Sequence, residues 1–214
     1  MLNIDHFEFN HIQVNCYLLW DETTRQCAIV DPGMKTADET AKLIQFIGDH
    51  HLSPTLILLT HAHVDHIAGL REVCSRYGLP VTMHKDGVKL LRQASGYGAV
   101  LGFDIEQMDD LPTSFVDDGD TLTLATSTIE CRHVPGHCPG SICYVLNDEH
   151  AVLTGDALFH FSIGRTDLPG GDYDLLVDKL RTRILTLPDD YRILPGHGIP
   201  SMIWKEKKYN SFLC

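Results

Sequence analysis

The first sixty residues alternate between short apolar runs and polar turns, a pattern that predicts β-strands around one helix. Alternation and β-branched or aromatic residues predict three antiparallel strands, over residues 4–9, 16–20 and 26–30. Between residues 36 and 50 the apolar side chains recur at helical spacing, which predicts an amphipathic helix. Residues 55–59 form a continuous, largely apolar run, which is typical of a strand that is buried on both faces.

The rest of the chain repeats this succession of strands and helices. A helix that ends at Gly78 is followed by a short strand over 80–84 and a helix over 87–95, while residues 96–110 suggest no regular element. The second half predicts strands over 121–125, 128–133, 141–146, 151–154 and 192–194, with a helix over 173–185 before the last of them. Two halves of similar order predict an α/β fold in which two sheets pack together with helices outside.

Composition and charge narrow the class of protein. The 214 residues predict one domain over residues 1–214, and the 43% hydrophobic content is enough for a packed core, which excludes a disordered protein. The 29 acidic against 17 basic residues give a net charge of −12, so neither nucleic acid nor an anionic membrane is expected as a partner. We expect a cytoplasmic protein, because the chain has no apolar run of membrane-spanning length and no signal sequence. The oligomeric state is left open.

Thirteen histidines stand out in this composition, and their spacing separates a group with metal-ligand chemistry. An H-x-H-x-D-H cluster follows the buried strand at 55–59, and three further His or Asp residues follow later hydrophobic strands, each directly after a glycine. Such strand ends meet at an open crevice, so these side chains are expected to converge. The seven candidate ligands are His61, His63, Asp65, His66, His137, Asp156 and His197.

The chemistry of this set points to a metal centre of histidine and aspartate ligands rather than to a cysteine-rich structural zinc site. Imidazole and carboxylate ligands without thiolates suit zinc, iron or manganese. Seven ligands are more than one tetrahedral ion uses, whereas two ions bridged by one carboxylate account for all of them. The other histidines are expected to be ordinary polar residues, and His133, which lies near the site in sequence, is at most an outer contact of a ligand.

These motifs, in this order, resemble the metallo-β-lactamase superfamily over almost the whole chain. The resemblance is carried by residues 61–66 (HAHVDH), 135–137 (PGH), 155–156 (GD) and 196–198 (GHG). Within the superfamily, residues 134–141 and 155–159 look like the glyoxalase II group of hydroxyacylglutathione hydrolases, and residues 162–172 are similar to its short bacterial members. The resemblance implies an α/β fold of four layers, an αββα sandwich with two mixed sheets between outer helices.

The resemblance also implies how the ligands divide between two divalent ions, with zinc favoured over iron or manganese. One set would be His61, His63 and His137, the other Asp65, His66 and His197, with Asp156 as the bridge. Two such ions make hydroxide available near neutral pH, and Asp65 would help to orient it. The metal-bound hydroxide would attack the acyl carbon of a thioester, because a thiolate of pKa about 8.5 leaves without acid assistance. The resemblance favours S-lactoylglutathione as this small-molecule substrate.

Several residues leave the substrate less defined than the metal centre. Long glyoxalase II enzymes continue into a C-terminal helical domain that binds glutathione, whereas 17 residues follow His197, so we expect that domain to be absent. Arg165 either contacts an anionic substrate or pairs with Asp167. Cys138 and the segment around Trp204 depart from the family pattern.

Two other functions stay open at this stage. Persulfide dioxygenases share the fold and the GRTD sequence at 164–167, and in that case a single Fe(II) would be held by His61, His137 and Asp156. A metal-binding protein without catalysis is the lesser alternative, and it would not turn over thioesters or lactones.

Overall fold

Two six-stranded sheets pack face to face in the computed structural model, which describes residues 1–214. The first sheet follows chain order and consists of β1 (Asn3–Phe9), β2 (Val14–Trp20), β3 (Gln26–Val30), β4 (Ser53–Leu58), β5 (Val81–His84) and β6 (Thr113–Val116). Strands β1 to β3 are antiparallel, and β3 to β6 are parallel. The sheet is therefore mixed.

The second sheet is also mixed and contains the later strands. After β7 (Thr121–Leu124), β8 (Ser127–His133), β9 (Ile142–Leu146) and β10 (Ala151–Gly155), the chain forms a separate short hairpin of β11 (Leu158–Phe159) and β12 (Ser162–Ile163) outside this sheet. The sheet then continues with β13 (Arg192–Pro195) and β14 (Ser201–Met202). In the sheet their order is β14-β13-β10-β9-β8-β7, and only the β10–β13 pair is parallel.

Six α-helices accompany the two sheets. They are α1 (Ala37–Asp49), α2 (Val64–Ile67), α3 (Leu70–Tyr77), α4 (Val88–Gly98), α5 (Tyr173–Lys179) and α6 (Ile203–Tyr209). Helix α1 begins at a capping box, in which Thr36 accepts from the backbone N–H of Glu39 and Glu39 accepts from that of Thr36. No helix has both the length and the apolar character that crossing a membrane requires.

Three apolar clusters separate the layers, and alternate residues of β2 belong to different clusters. Cys16 and Leu18 belong to the cluster that includes residues of α1, α3 and α4, whereas Tyr17 and Leu19 belong to the cluster between the sheets. This alternation follows from the two-residue period of a strand. The third cluster joins the second sheet to α5 and α6. The predicted αββα sandwich of two mixed sheets with outer helices is therefore confirmed.

Some elements differ from the sequence prediction. The helix predicted over 87–95 extends to Gly98 and continues as a 3-10 turn over Ala99–Leu101, within a segment predicted to be irregular. The helix predicted over 173–185 is α-helical only to Lys179 and then becomes a π-helical turn. Strand β6 and helix α6 were not predicted, because β6 is a short, largely exposed edge strand and α6 is a two-turn, mostly charged segment.

Hydrogen bonds between the two sheets end at the loops that hold the candidate ligands. The Tyr144 hydroxyl on β9 donates to the Leu59 carbonyl at 2.8 Å, and the Ile142 backbone N–H donates to the Thr60 carbonyl at 2.8 Å. At another point the Tyr17 hydroxyl on β2 donates to the Pro195 carbonyl, also at 2.8 Å. These bonds fix the relative positions of loops that belong to different sheets.

We expect Tyr144→Phe to lower the free energy of unfolding by about 1–3 kcal/mol, because the buried Leu59 carbonyl would lose its side-chain donor. Urea denaturation followed by circular dichroism measures this difference. Tyr209→Phe is the control, since that side chain is 53% exposed, and it should be neutral. Equal midpoints for Tyr144→Phe and the parent would show that this inter-sheet bond contributes nothing to stability.

Candidate metal centre

All seven candidate ligands meet at one edge of the sandwich. His61 and His63 lie in the segment between β4 and α2, and Asp65 and His66 lie in α2 itself. The second sheet supplies the others from its strand ends, with His137 between β8 and β9, Asp156 directly after β10, and His197 directly after β13 and one glycine. Each half of the fold thus contributes side chains to the same space.

Three histidines form the first group. The Nδ1 atom of His63 lies 3.0 Å from Nε2 of His61 and 2.8 Å from Nε2 of His137. The ligand atoms of the three rings all lie within 4.8 Å of one another. Three imidazole nitrogens at this spacing can share one metal ion.

Asp65, His66 and His197 form the second group, again with ligand atoms within 4.8 Å of one another. The Oδ2 atom of Asp65 lies 3.0 Å from Nε2 of His197 and 3.6 Å from Nε2 of His66. One carboxylate and two imidazoles form a ligand set that suits a second ion of the same kind.

The carboxylate of Asp156 lies between the two groups. Its Oδ1 atom is 3.3 Å from Nε2 of His66 and 3.6 Å from Nε2 of His197, while its Oδ2 atom is 3.8 Å from Nε2 of His137. Both His66 Nε2 and Asp156 Oδ1 are buried without a hydrogen-bond partner. Buried polar atoms without partners are costly, so two such atoms aimed at the same space fit a bound cation.

Contacts outside the centre fix which nitrogen each ring presents. Nδ1 of His137 donates to the Arg165 carbonyl at 2.8 Å, and Nδ1 of His197 lies 3.1 Å from the Ile12 carbonyl. In both rings Nε2 therefore faces inward, toward the other candidate ligands. His63 is the exception, because its Nδ1 atom faces the other rings.

Asp31 contacts the segment that carries His61 and His66 through three hydrogen bonds, and it was not among the residues predicted from the sequence. Its carboxylate accepts from the Thr60 backbone N–H at 2.7 Å, from the Thr60 hydroxyl at 2.6 Å and from Nδ1 of His66 at 2.9 Å. The Thr60 oxygen in turn lies 3.1 Å from Nδ1 of His61. The sequence offered one signal, since Asp31 directly follows the buried strand β3 just as the ligands follow theirs.

The pKa shifts divide the candidate ligands into two kinds: burial keeps His61 and His63 neutral, whereas the neighbouring carboxylates raise the pKa of His66 and His197 and favour a proton there, which a metal ion would replace. Burial lowers the pKa of His61, and burial together with His137 lowers that of His63 to about 4, so both rings are neutral near pH 7. Burial opposes ionisation of Asp156, but the neighbouring His66 and His197 outweigh it and keep its pKa below the ordinary value. The pKa of His66 is raised against the effect of burial, because Asp156, Asp65 and Asp31 surround it with negative charge.

Two glycines allow the ligands to approach this closely. Gly155 has φ +49°, and a Cβ atom there would lie 2.4 Å from the Thr60 hydroxyl oxygen. A Cβ atom on Gly196 would lie 2.3 Å from Oδ1 of Asp156 and 2.8 Å from Cε1 of His66. Larger residues at either position would displace a ligand or its support.

A cavity of about 560 Å³ opens onto the centre. Arg165 is among its lining residues, but its guanidinium forms two hydrogen bonds of 2.8 Å to the carboxylate of Asp167. Of the two interpretations left open by the sequence, the structure places Arg165 in this pair, at the edge of the cavity. Trp204 is on α6 and does not line the cavity.

A further group of histidines lies elsewhere. His84, Asp86 and His133 also have ligand atoms within 4.8 Å of one another. However, the rings of His84 and His133 stack at 3.8 Å with an interplanar angle of 15°, and His133 Nε2 donates to the Pro139 carbonyl at 2.8 Å. Stacking and hydrogen bonding account for these two histidines.

Comparisons with known proteins agree with this architecture. The family model of the metallo-beta-lactamase superfamily matches residues 10–197. Hydroxyacylglutathione hydrolase GloC of Haemophilus influenzae is 36% identical to the chain, across 99% of this chain and 98% of its own. Human persulfide dioxygenase ETHE1 is 33% identical across 85% of the chain, which spans 62% of ETHE1.

Solved structures give the same result. BLEG-1, described as a B3 metallo-beta-lactamase, superposes with a TM-score of 0.89 at 34% identity and covers 99% of both chains. TTHA1623, solved in a di-iron-bound form, superposes with a TM-score of 0.86 at 33% identity and covers 98% of this chain and all of its own. Because the family model covers most of the chain and the similarity extends along its whole length, the chain belongs to the metallo-beta-lactamase superfamily.

Proposed function

We propose that the chain is a binuclear zinc-dependent thioester hydrolase of the hydroxyacylglutathione type, with S-lactoylglutathione as substrate. The observation that carries this proposal is the Asp156 carboxylate, whose two oxygens face two different groups of ligands. The similarity to GloC over nearly the full length of both chains supports the choice of reaction.

We assign one metal ion to each of the two groups of side chains. His61, His63 and His137 would hold one ion, Asp65, His66 and His197 would hold the other, and Asp156 would lie between them as a shared ligand. When bound, two divalent ions supply hydroxide near neutral pH and polarise an acyl carbonyl.

The side chains around the ions then have little further chemistry to perform. Hydrolysis forms a C–O bond and breaks the C–S bond, and the thiolate that leaves, with a pKa of about 8.5, needs no general acid. We assign Asp65 the orientation of the attacking hydroxide in addition to its role as a ligand, because its carboxylate lines the cavity. The ionised state of Asp65 suits both roles, since His66 and His197 outweigh the effect of burial and lower its pKa.

The similarity to ETHE1 favours a second candidate, a mononuclear Fe(II) persulfide dioxygenase. In that case His61, His137 and Asp156 would hold the iron. A single ion on those three residues leaves the buried Nε2 atom of His66 without a partner and gives the second group no purpose. The binuclear hydrolase uses every side chain at the centre and is therefore our proposal.

Metal analysis of protein purified without oxygen, paired with assays of thioester hydrolysis and oxygen uptake, tests the two candidates. We expect two zinc equivalents and hydrolysis of S-lactoylglutathione, with no oxygen consumed in the presence of glutathione persulfide. One iron equivalent, oxygen uptake and no hydrolysis would replace our proposal with the dioxygenase. Bound metal with neither activity would leave a non-catalytic metal-binding protein.

Asp156→Ala should lose both metal ions and reduce hydrolysis to background, because the substitution removes a ligand from each set. His6→Ala is the matched control, since His6 is an exposed residue on β1, away from the ligands, and should keep both metals and full activity. Metal content per chain and the initial rate are the two measurements. Retention of two equivalents by Asp156→Ala would rule out the bridging role.

Asp31→Asn should weaken zinc binding by about 10- to 100-fold, because the amide cannot match the charged acceptor that holds His66 and Thr60. Competition with a chromophoric chelator measures the affinity. Asp38→Asn, at an exposed position in the first turn of α1, makes the same chemical change away from the site and should bind zinc like the parent. A parent-like affinity for Asp31→Asn would contradict the organising role of Asp31.

A further inference from the structure

One face of helix α4 lines the cavity beside the metal centre. Leu90, Gln93 and Tyr97 recur at helical spacing and all lie in the cavity wall, followed by Leu101 in the next turn. The wall is thus mainly apolar, with Tyr97 as the lining residue that carries a hydroxyl group.

The Tyr97 hydroxyl is held close to the ligand loop but is weakly bonded within the protein. Its contact there is the Ala62 carbonyl at 3.4 Å, and Ala62 lies between the ligands His61 and His63. A hydroxyl hydrogen bond is normally 2.7–2.8 Å long, so this one is weak and easily exchanged for a better acceptor. Burial and the negative charge of Asp65 raise the pKa of Tyr97, so the hydroxyl keeps its proton.

The other polar side chains of the cavity wall are less able to donate a hydrogen bond to the acyl group of the substrate. Arg165 donates twice to Asp167 and is largely exposed, and Gln93 is exposed. The remaining polar lining residues are the proposed metal ligands. Tyr97 is therefore the side chain of the cavity wall that can offer a neutral hydrogen-bond donor to the acyl end of the substrate.

We propose that the Tyr97 hydroxyl donates a hydrogen bond to the 2-hydroxyl oxygen of the acyl group, which makes the enzyme selective for 2-hydroxyacyl thioesters. This inference rests on the proposed thioester hydrolase. The acyl carbonyl must reach the metal centre, and the 2-hydroxyl group is attached to the neighbouring carbon, so it lies close to the ligand loop. When the acyl group lacks this oxygen, the Tyr97 hydroxyl keeps only its weak contact with the Ala62 carbonyl.

The test compares two substrates with two forms of the zinc-loaded enzyme. S-lactoylglutathione and S-propionylglutathione differ in the 2-hydroxyl group alone, and release of glutathione reports kcat/KM for each. The lactoyl ester is intrinsically more reactive, so the readout is the change in the lactoyl-to-propionyl ratio between the parent and Tyr97→Phe. We expect Tyr97→Phe to lower this ratio about 5- to 10-fold by slowing the lactoyl ester alone, as for the loss of one hydrogen bond.

Control variants and alternative outcomes make the result decisive. Tyr173→Phe changes an exposed tyrosine at the start of α5 that does not line the cavity, and it should leave both rates unchanged. An equal loss on both esters by Tyr97→Phe, with two zinc equivalents retained, or no change in the ratio, overturns the role of Tyr97 while the hydrolase stands. Failure of the parent to hydrolyse either ester removes the proposed function and this inference with it.

Discussion

The largely buried Asp156 carboxylate is the constraint around which the site is built. A buried carboxylate is stable only with a matching positive charge or with hydrogen-bond donors, and Oδ1 of Asp156 has no donor in the protein. Imidazoles surround it from both groups, and the rings of His137 and His197 are turned by backbone carbonyls so that their Nε2 atoms face inward. The surrounding structure thus holds candidate ligand atoms together at a cost that bound cations would offset.

The convergence of the seven candidate ligands could be predicted from the sequence, because each of them follows a recognisable strand. His137, Asp156 and His197 each stand directly after a glycine at the end of a hydrophobic run, which is a local signal. The position of a strand end in a layered α/β fold then implies convergence without any knowledge of distances. The fold class was predicted for the same reason, since apolar runs of strand and helix length alternate in order.

Other features depend on contacts between distant parts of the chain and left no local signal. Asp31 stands in an Asp-Pro-Gly sequence that also suits a simple turn, and its role is visible only where Thr60 and His66 reach it from another loop. Tyr97 lies in a segment predicted to be irregular, and its place in the cavity wall depends on how α4 packs. Helix α6 is too short and too charged for its periodicity to stand out.

The inter-sheet hydrogen bonds of Tyr144 and Tyr17 lie beside loops that supply ligands from different sheets. Under the proposed assignment each ion takes ligands from both halves of the sandwich, so it acts as a cross-link between two layers that are otherwise joined by apolar packing and a few hydrogen bonds. Under this assignment, substitutions between the sheets would also change metal occupancy. Under the same assignment, removal of the ions would weaken the connection between the two sheets and not only one loop.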